Sequence, residues 1–321
     1  MGRFIIRRAL FGVLVLFIIS VAVFVLFFVI APGDPAANFV GKNPRPEQIL
    51  AAKIRYGLDK PVYVQYLRYT GRLLHGDLGY SFRNAEPVTK TLLDRLPITA
   101  SLAIGGAIVW LLIGVPIGIL AATKPRSLRD RGATVFALAG LSIPTFVMGL
   151  LFLYLFFYIF NTKLHITYFP GNGYVPLTQD PLGWFQHMVL PWFALALVSE
   201  ASYSRITRGS LLEVLGEDYI RTARAKGLTE RRVTYRHGLR SALTPVITLL
   251  GIDVGALLGG AIVTESVFGL GGIGQLAVQS VVIGDLPVIF GTVLLAAFFI
   301  VVANILVDIT YALLDSRVRL A

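Results

Sequence analysis

The sequence predicts an all-α membrane protein of six transmembrane helices, with both termini on the inner side of the bilayer. Three observations carry that reading. Of the 321 residues, 55% are hydrophobic and only 15% charged, whereas a soluble domain carries about 25% charged residues to cover its surface. Six stretches reach the roughly 20 apolar residues that a helix needs to cross the hydrocarbon core. Lysine and arginine then divide unevenly between the connections. Helices are the natural spanning element, because lipid offers no partner to an open strand edge.

The first span covers 9–31, from Ala9 to Ala31 without a charge, and Pro32-Gly33-Asp34-Pro35 halts it. Arg3, Arg7 and Arg8 precede it as they would a secretory signal. The run outlasts the roughly 7–15 residues of a signal's apolar region and no A-x-A-like site closes it, so it is read as a retained helix. Segment 32–97 follows, expected outside and partly helical, with helix-like pieces at 47–56 and 61–74 between prolines and glycines. The next spans, 98–123 and 132–160, are charge-free and contain Pro116 and Pro144. The fourth, 183–204, is less apolar and carries His187, Pro191 and Glu200. Spans 242–264 and 286–314 complete the set, the first with Asp253, the second with Asn304 and Asp308. The expected organisation is an N-terminal helix (1–31), an outer segment (32–97), a five-helix core (98–314) interrupted by an inner loop (205–241), and an inner tail (315–321).

Orientation follows from the positive-inside rule. With the N-terminus inside, the inner segments hold 18 of the 29 Lys and Arg, nine of them in 205–241. The short outer connections 161–182 and 265–285 hold one and none. The other ten lie in 32–97, and a segment longer than about 60 residues translocates largely regardless of its charge.

Several chemistries are excluded. With no cysteine there is no disulfide, thiolate metal site or cysteine nucleophile. The four histidines, His75, His165, His187 and His237, show no i,i+4 pair, so no metal site is expected. Gly269-Leu-Gly271-Gly-Ile-Gly274 matches G-x-G-x-x-G, but it follows a transmembrane helix rather than a strand and is read as a tight outer turn. No G-x-x-x-x-G-K-[ST] occurs, so the chain does not bind ATP through a Walker motif. The net charge of +11 is spent on topology and does not point to nucleic acid.

Polar groups within spans are costly and normally face a cavity or a partner. Asp253 is the most central, while Glu200, Asp308 and Asn304 lie nearer span ends. Two readings stand: a lining of a polar translocation path, or a helix-packing bond or salt bridge to a basic loop residue. Gly251, Gly255 and Gly259, spaced by four, form one face suited to close helix or subunit contact.

The inner loop has its own signals. Glu217 and Asp218 open a short helix that runs through Tyr219, Ile220, Arg221, Thr222, Ala223, Arg224, Ala225 and Lys226 to Gly227. Acids at its start, bases at its end and glycine after it are the capping pattern of a helix of about ten residues. Tyr219, Ile220 and Ala223 share an arc, an arrangement suited to a groove on another protein. A basic loop lying on anionic lipid is the alternative on composition alone.

The string Tyr219-Ile-Arg-Thr-Ala-Arg-Ala-Lys-Gly227, followed by Arg236-His-Gly-Leu-Arg-Ser-Ala-Leu-Thr-Pro245, resembles the cytoplasmic-loop signature of bacterial ABC importer permeases. Arg221-Thr222-Ala223 stands where that signature has Glu-Ala-Ala, and Leu243-Thr244-Pro245 stands at its terminal Leu-Pro. These departures resemble the dipeptide/oligopeptide branch. Ala31-Pro-Gly-Asp-Pro35, Tyr56-Gly-Leu-Asp-Lys-Pro61, His75-Gly-Asp-Leu-Gly-Tyr-Ser81, Arg205-Ile-Thr-Arg-Gly-Ser210 and Phe268-Gly-Leu-Gly-Gly-Ile-Gly-Gln-Leu276 extend the likeness along nearly the whole chain, as in the first permease subunit of such systems.

The resemblance implies a type I ABC importer permease fold in the bacterial inner membrane and a peptide substrate. It makes 217–227 a coupling helix for an ATPase subunit. It also implies a homologous second permease, ATP and Mg bound by the ATPase partners, and an extracytoplasmic binding protein, with Gly76, Asp77, Leu78, Gly79, Tyr80 and Ser81 as candidate contacts for it. No cofactor belongs to this chain itself. The alternatives are a proton-coupled secondary transporter using Asp253 and, within the ABC reading, a nickel, haem or glutathione permease.

Overall fold

Apolar runs become helices throughout. The computed structural model describes residues 2–30, 36, 40, 45–81 and 85–314. The Ala31–Pro35 string and the tail 315–321 lie outside the described residues. Helix α1 spans Gly2–Phe24 and continues as a π-helical turn over Val25–Ile30. Two short helices follow, α2 (Pro46–Tyr56) and α3 (Val62–Leu74), and then a small antiparallel ladder pairing Tyr80 with Pro87 and Ser81 with Glu86. Tyr66 of α3 lies against α1, its hydroxyl 2.8 Å from Ser20 Oγ and its ring edge-on to Phe24.

Helix α4 (Val88–Thr123) starts ten residues before the expected span and runs through Pro97. A proline inside a helix removes one hydrogen bond, but here Val88 and Leu92 are buried against Leu276 and Val288, and that packing holds the extra turns. The expected span 132–160 is instead two helices, α5 (Leu128–Ser142) and α6, which runs over Thr145–Leu164 with a π-helical stretch at Leu153–Ile159. The break is at Ile143, held extended (φ −102°, ψ 119°) because the ring of Pro144 excludes the helical conformation from the residue before it.

Helix α7 (Pro181–Leu215) continues eleven residues past the expected span end at 204, since Leu211 is buried against Ile119, Ala122 and Ala242. After α8 (Asp218–Ala225) come α9, over Glu230–Ala242, and α10 (Thr244–Leu258), which meet at a 46° bend. Helices α11 (Ile262–Val267), α12 (Ile273–Ile283) and α13 (Leu286–Leu314) complete the chain. Among the described residues, five helices are long and apolar enough to cross a membrane, and the bent α9–α10 pair makes a sixth.

The core centres on Trp110, Met188, Trp192, Tyr203, Val246 and Phe268. Helix α4 lies along α7, and α13 lies between α10 and α1. The α10–α13 contact explains the glycine row: a Cβ at Gly251, Gly255 or Gly259 would meet Val307 at 1.8 Å, Ala303 at 2.6 Å or Ala296 at 2.6 Å. Small residues there let two backbones approach, as in other membrane helix pairs.

Candidate functional site

Helix α8 starts after Glu217, whose extended backbone (φ −67°, ψ 151°) turns the chain out of α7. It stops at Gly227, which takes φ +77°. A Cβ at Gly227 would meet nothing within 4 Å, so glycine is needed there for its left-handed backbone and not for space. The Gly227 N–H donates to Arg224 O at 2.9 Å and the Leu228 N–H to Ala223 O at 3.4 Å, closing the helix end.

One face of α8 is anchored. Ile220 and Ala223 are buried against Val233, with Val214, Leu215 and Leu228 around them. Arg224 straps the helix to both neighbours: Nε donates to Glu230 Oε1 at 2.8 Å and a terminal nitrogen donates to Leu215 O at 3.2 Å. The opposite face is open. Asp218, Tyr219, Arg221, Thr222, Ala225 and Lys226 are exposed, and Arg221 makes only a surface pair with Asp218 at 3.3 Å. Tyr219 is 46% exposed, its hydroxyl 3.4 Å from Ser241 Oγ. The result is a short helix held firmly from behind and presenting an aromatic, basic face outward.

The four intramembrane polar residues fall in different places. Asp253 on α10 accepts a hydrogen bond from the Tyr203 hydroxyl on α7 at 2.8 Å, and Trp110 packs on the Tyr203 ring at 5.5 Å between centroids. Glu200, one turn away on α7, is fully buried where α7 passes Gly114 of α4 and Gly140 of α5. Neither of its carboxylate oxygens has a hydrogen-bond partner among the described residues. Asp308 pairs with Arg8 at 3.0 Å, joining α13 to α1. Asn304 is exposed on α13. Asp253 thus meets α7 through Tyr203, Glu200 faces α4 and α5, and Asp308 faces α1.

At the opposite end from α8, the stretch Gly76–Ser81 is built onto the ends of two long helices. Asp77 Oδ1 accepts the Gly79 N–H at 2.9 Å, Gly79 O accepts the Val88 N–H at 3.0 Å, and the Thr89 hydroxyl donates to Gly76 O at 2.6 Å. Leu78 packs on Val88 and Leu92, the Tyr80 hydroxyl donates to Ala85 O, and the Ser81 hydroxyl donates to Asp285 Oδ2 at 2.7 Å. Gly76, Asp77 and Tyr80 remain exposed.

Two buried constellations escape sequence reasoning. Glu265 is fully buried and accepts from the Thr99 hydroxyl at 2.7 Å and the Gln275 N–H at 2.9 Å, while Thr99 Oγ1 accepts the Ile273 N–H at 2.9 Å. Arg95 donates to Gly271 O beside it. This network shapes the Gly269–Gly274 turn, and no linear signal joins residues so far apart. Asp130 accepts two hydrogen bonds from Arg208, at 2.6 and 2.9 Å, and a third from the Arg126 N–H at 2.8 Å. Those bonds, the arginine's first, hold its carboxyl down at about 2. Here a signal existed: Ser127-Leu-Arg-Asp130 has the spacing of a helix-capping box.

Comparison with known proteins bears on the family and the fold. The family described as "Binding-protein-dependent transport system inner membrane component" matches residues 114–320, and the corresponding N-terminal family matches residues 1–103. A putative peptide transport system permease of Brucella abortus is 39% identical over 99% of both chains. The oligopeptide transport system permease AppB of Bacillus subtilis is 38% identical, covering 99% of this chain and all of that one. The dipeptide transport system permease DppB of Escherichia coli K12 is 38% identical over 99% of each. Among solved structures, an inward-facing form of the MetNI methionine ABC transporter aligns with TM-score 0.54 at 20% identity, over 70% of this chain and 96% of that one. The fold is therefore the type I ABC importer permease fold, and the chain, a multi-pass membrane protein, belongs to the binding-protein-dependent transport system inner membrane component family.

Proposed function

We propose that this chain is one of the two permease subunits of an ATP-driven peptide importer, forming half of the translocation path. The observation that carries this is full-length similarity to peptide permeases combined with α8, a short helix anchored by Ile220 and Ala223 and open on its other face. In this reading α8 docks in a groove of an ATPase subunit, and Arg224 and Gly227 fix its angle to α7. ATP and Mg belong to that partner, which hydrolyses the nucleotide. The lysine and arginine asymmetry assigns 205–241 and both termini to the cytoplasm of a bacterial inner membrane. Gly76–Ser81 then faces the extracytoplasmic binding protein that delivers peptide, and a homologous permease completes the path. Ligands shift such a transporter only through unequal affinity for its two states, so binding protein outside and ATP inside act on the same equilibrium. Asp253 is the central path candidate, with Glu200, Asp308 and Asn304 the others.

The test is ATP-dependent uptake of a labelled dipeptide by the reconstituted complex, alongside co-purification of the ATPase with Gly227→Val. A β-branched residue at φ +77° is strongly disfavoured, so the variant should lose the ATPase and uptake together while the chain still melts cooperatively. Uptake that survives ATP depletion and collapses with an uncoupler overturns the reading in favour of a proton-coupled carrier.

A further inference from the structure

Between α4, α5 and α7, at the end of the bundle that carries α8, lies a cleft that the transport reading does not use. Its volume is about 160 Å³, the size of an apolar cavity that holds a benzene-sized group. The floor is the tight α4–α7 contact at Gly118, with Ala121 beside it, both buried. Ala133, Ala137 and Leu138 of α5 form the wall. Leu138 is 55% exposed, so the cleft opens sideways, toward the membrane, and not into the bundle.

Two arginines line it, Arg205 and Arg208, less than one turn apart on α7. They are not equivalent. Arg208 is neutralised by the two-pronged pair with Asp130, which also accepts from the Arg126 N–H. Arg205 is exposed and has no carboxylate or hydrogen-bond partner among the described residues. The adjoining connection 124–131 carries four basic residues and only that one acid.

We propose that this cleft binds an anionic phospholipid, with the phosphodiester at Arg205 and a stretch of one acyl chain along Ala133, Ala137 and Leu138. An apolar slot open to the bilayer, beneath an uncompensated guanidinium, complements an amphiphile with a negative head. Basic pockets between transmembrane helices recognise anionic headgroups in this way, and a guanidinium offers several donors to phosphate oxygens. A zwitterionic lipid has the same phosphate but brings a cation against Arg205 and Arg208. The inference is independent of the transported substrate.

The test is native mass spectrometry of the full chain, with whatever subunits co-purify, released from nanodiscs of equal phosphatidylglycerol and phosphatidylcholine. The wild type should retain phosphatidylglycerol preferentially. Arg205→Gln should lower that preference about five-fold, the scale of one basic residue at a membrane surface, with an unchanged melting temperature because Arg205 supports nothing else. Arg205→Lys should keep much of the preference. Ala137→Leu, which fills the slot, should reduce retention of both lipids. Equal retention of the two lipids by the wild type, or an undiminished preference in Arg205→Gln, overturns the proposal. An Ala137→Leu variant that sheds a protein subunit while lipid retention stays the same also overturns it, since the cleft would then be a subunit seam.

Discussion

Glu265→Gln changes one atom type at a fully buried carboxylate that accepts on both oxygens. In the native arrangement both oxygens act as acceptors, one for the Thr99 hydroxyl at 2.7 Å and one for the Gln275 N–H at 2.9 Å. If Thr99 accepted from the glutamine amide as well as from the Ile273 N–H at 2.9 Å, its own hydroxyl proton would lose its partner. Glutamine keeps one acceptor and sets an NH2 group against a donor at the other position. Glu265 is 0% exposed, so water does not fill in. A buried donor left unpaired costs about 1–3 kcal/mol, and the surviving bond loses its charge assistance. The expected loss is about 2–3 kcal/mol. For large domains each kcal/mol lowers Tm by roughly 2 °C or a little more, so the melting temperature should fall by about 5 °C. Tryptophan fluorescence during a thermal ramp of the detergent-solubilised chain reads this directly. In a cycle with Thr99→Val, the double variant should lose less than the two singles together, because both disrupt one network. A Glu265→Gln variant melting within about 1 °C of the wild type, or strictly additive losses, would refute the reasoning.

Asp130 makes a pH prediction. Its folded pKa, about 2, lies below the ordinary carboxylate value of 3.8, so the unfolded chain binds the proton more readily. The stabilisation is fully present above pH 4 and is lost as pH falls through 2. Acid titration of stability should therefore show a component between pH 4 and 2 that is absent in Asp130→Asn. A second contrast uses two glycines. Gly255→Leu places its Cβ 2.6 Å from that of Ala303 before the rest of the side chain is added, and should cost about 1–3 kcal/mol or more through overpacking. Gly132→Ala, with nothing within 4 Å of the new Cβ inside α5, should be neutral or stabilising by roughly 0.5–1 kcal/mol. Thermal melts of the pair check both.

What could be read from the sequence was what depends on neighbours in the chain. Uninterrupted apolar runs mark spans whatever the packing, and the acids and glycine around α8 act on their own turn of helix. Pro144 was visible too, but only the structure separates a bend within one helix from a break into two, with Ile143 extended. The true ends of α4 and α7 were hidden because Val88 and Leu211 are held by partners far away in the chain. Thr99 and Glu265 stand 166 residues apart, and nothing in either neighbourhood announces the other. Asp253 and Glu200 show the remaining limit: both are carboxylates within spans, yet one has a tyrosine hydroxyl and the other faces a glycine. Only the helix arrangement distinguishes them.

The polar joints along α7 are unequal. At one end, Trp192 Nε1 donates to Ser101 O at 2.9 Å and Trp184 Nε1 donates to Ser101 Oγ at 3.2 Å, fixing α4. At the other end, the charged two-pronged bond from Arg208 to Asp130 fixes α7 to the start of α5. Helices α4, α5 and α7 are thus joined by polar bonds, while α10 packs on α13 through its glycine row and also enters the core beside Trp110 and Tyr203 through Val246. The Tyr203–Asp253 hydrogen bond adds a polar joint between α7 and α10. Losing one hydrogen bond to a charged group costs about 1.5–3 kcal/mol, less than parting α7 from α4 with all their buried surface. Under the proposed coupling, force entering at α8 passes through the Arg224–Leu215 bond into α7. In that reading the Tyr203–Asp253 bond carries part of the load from α7 to α10.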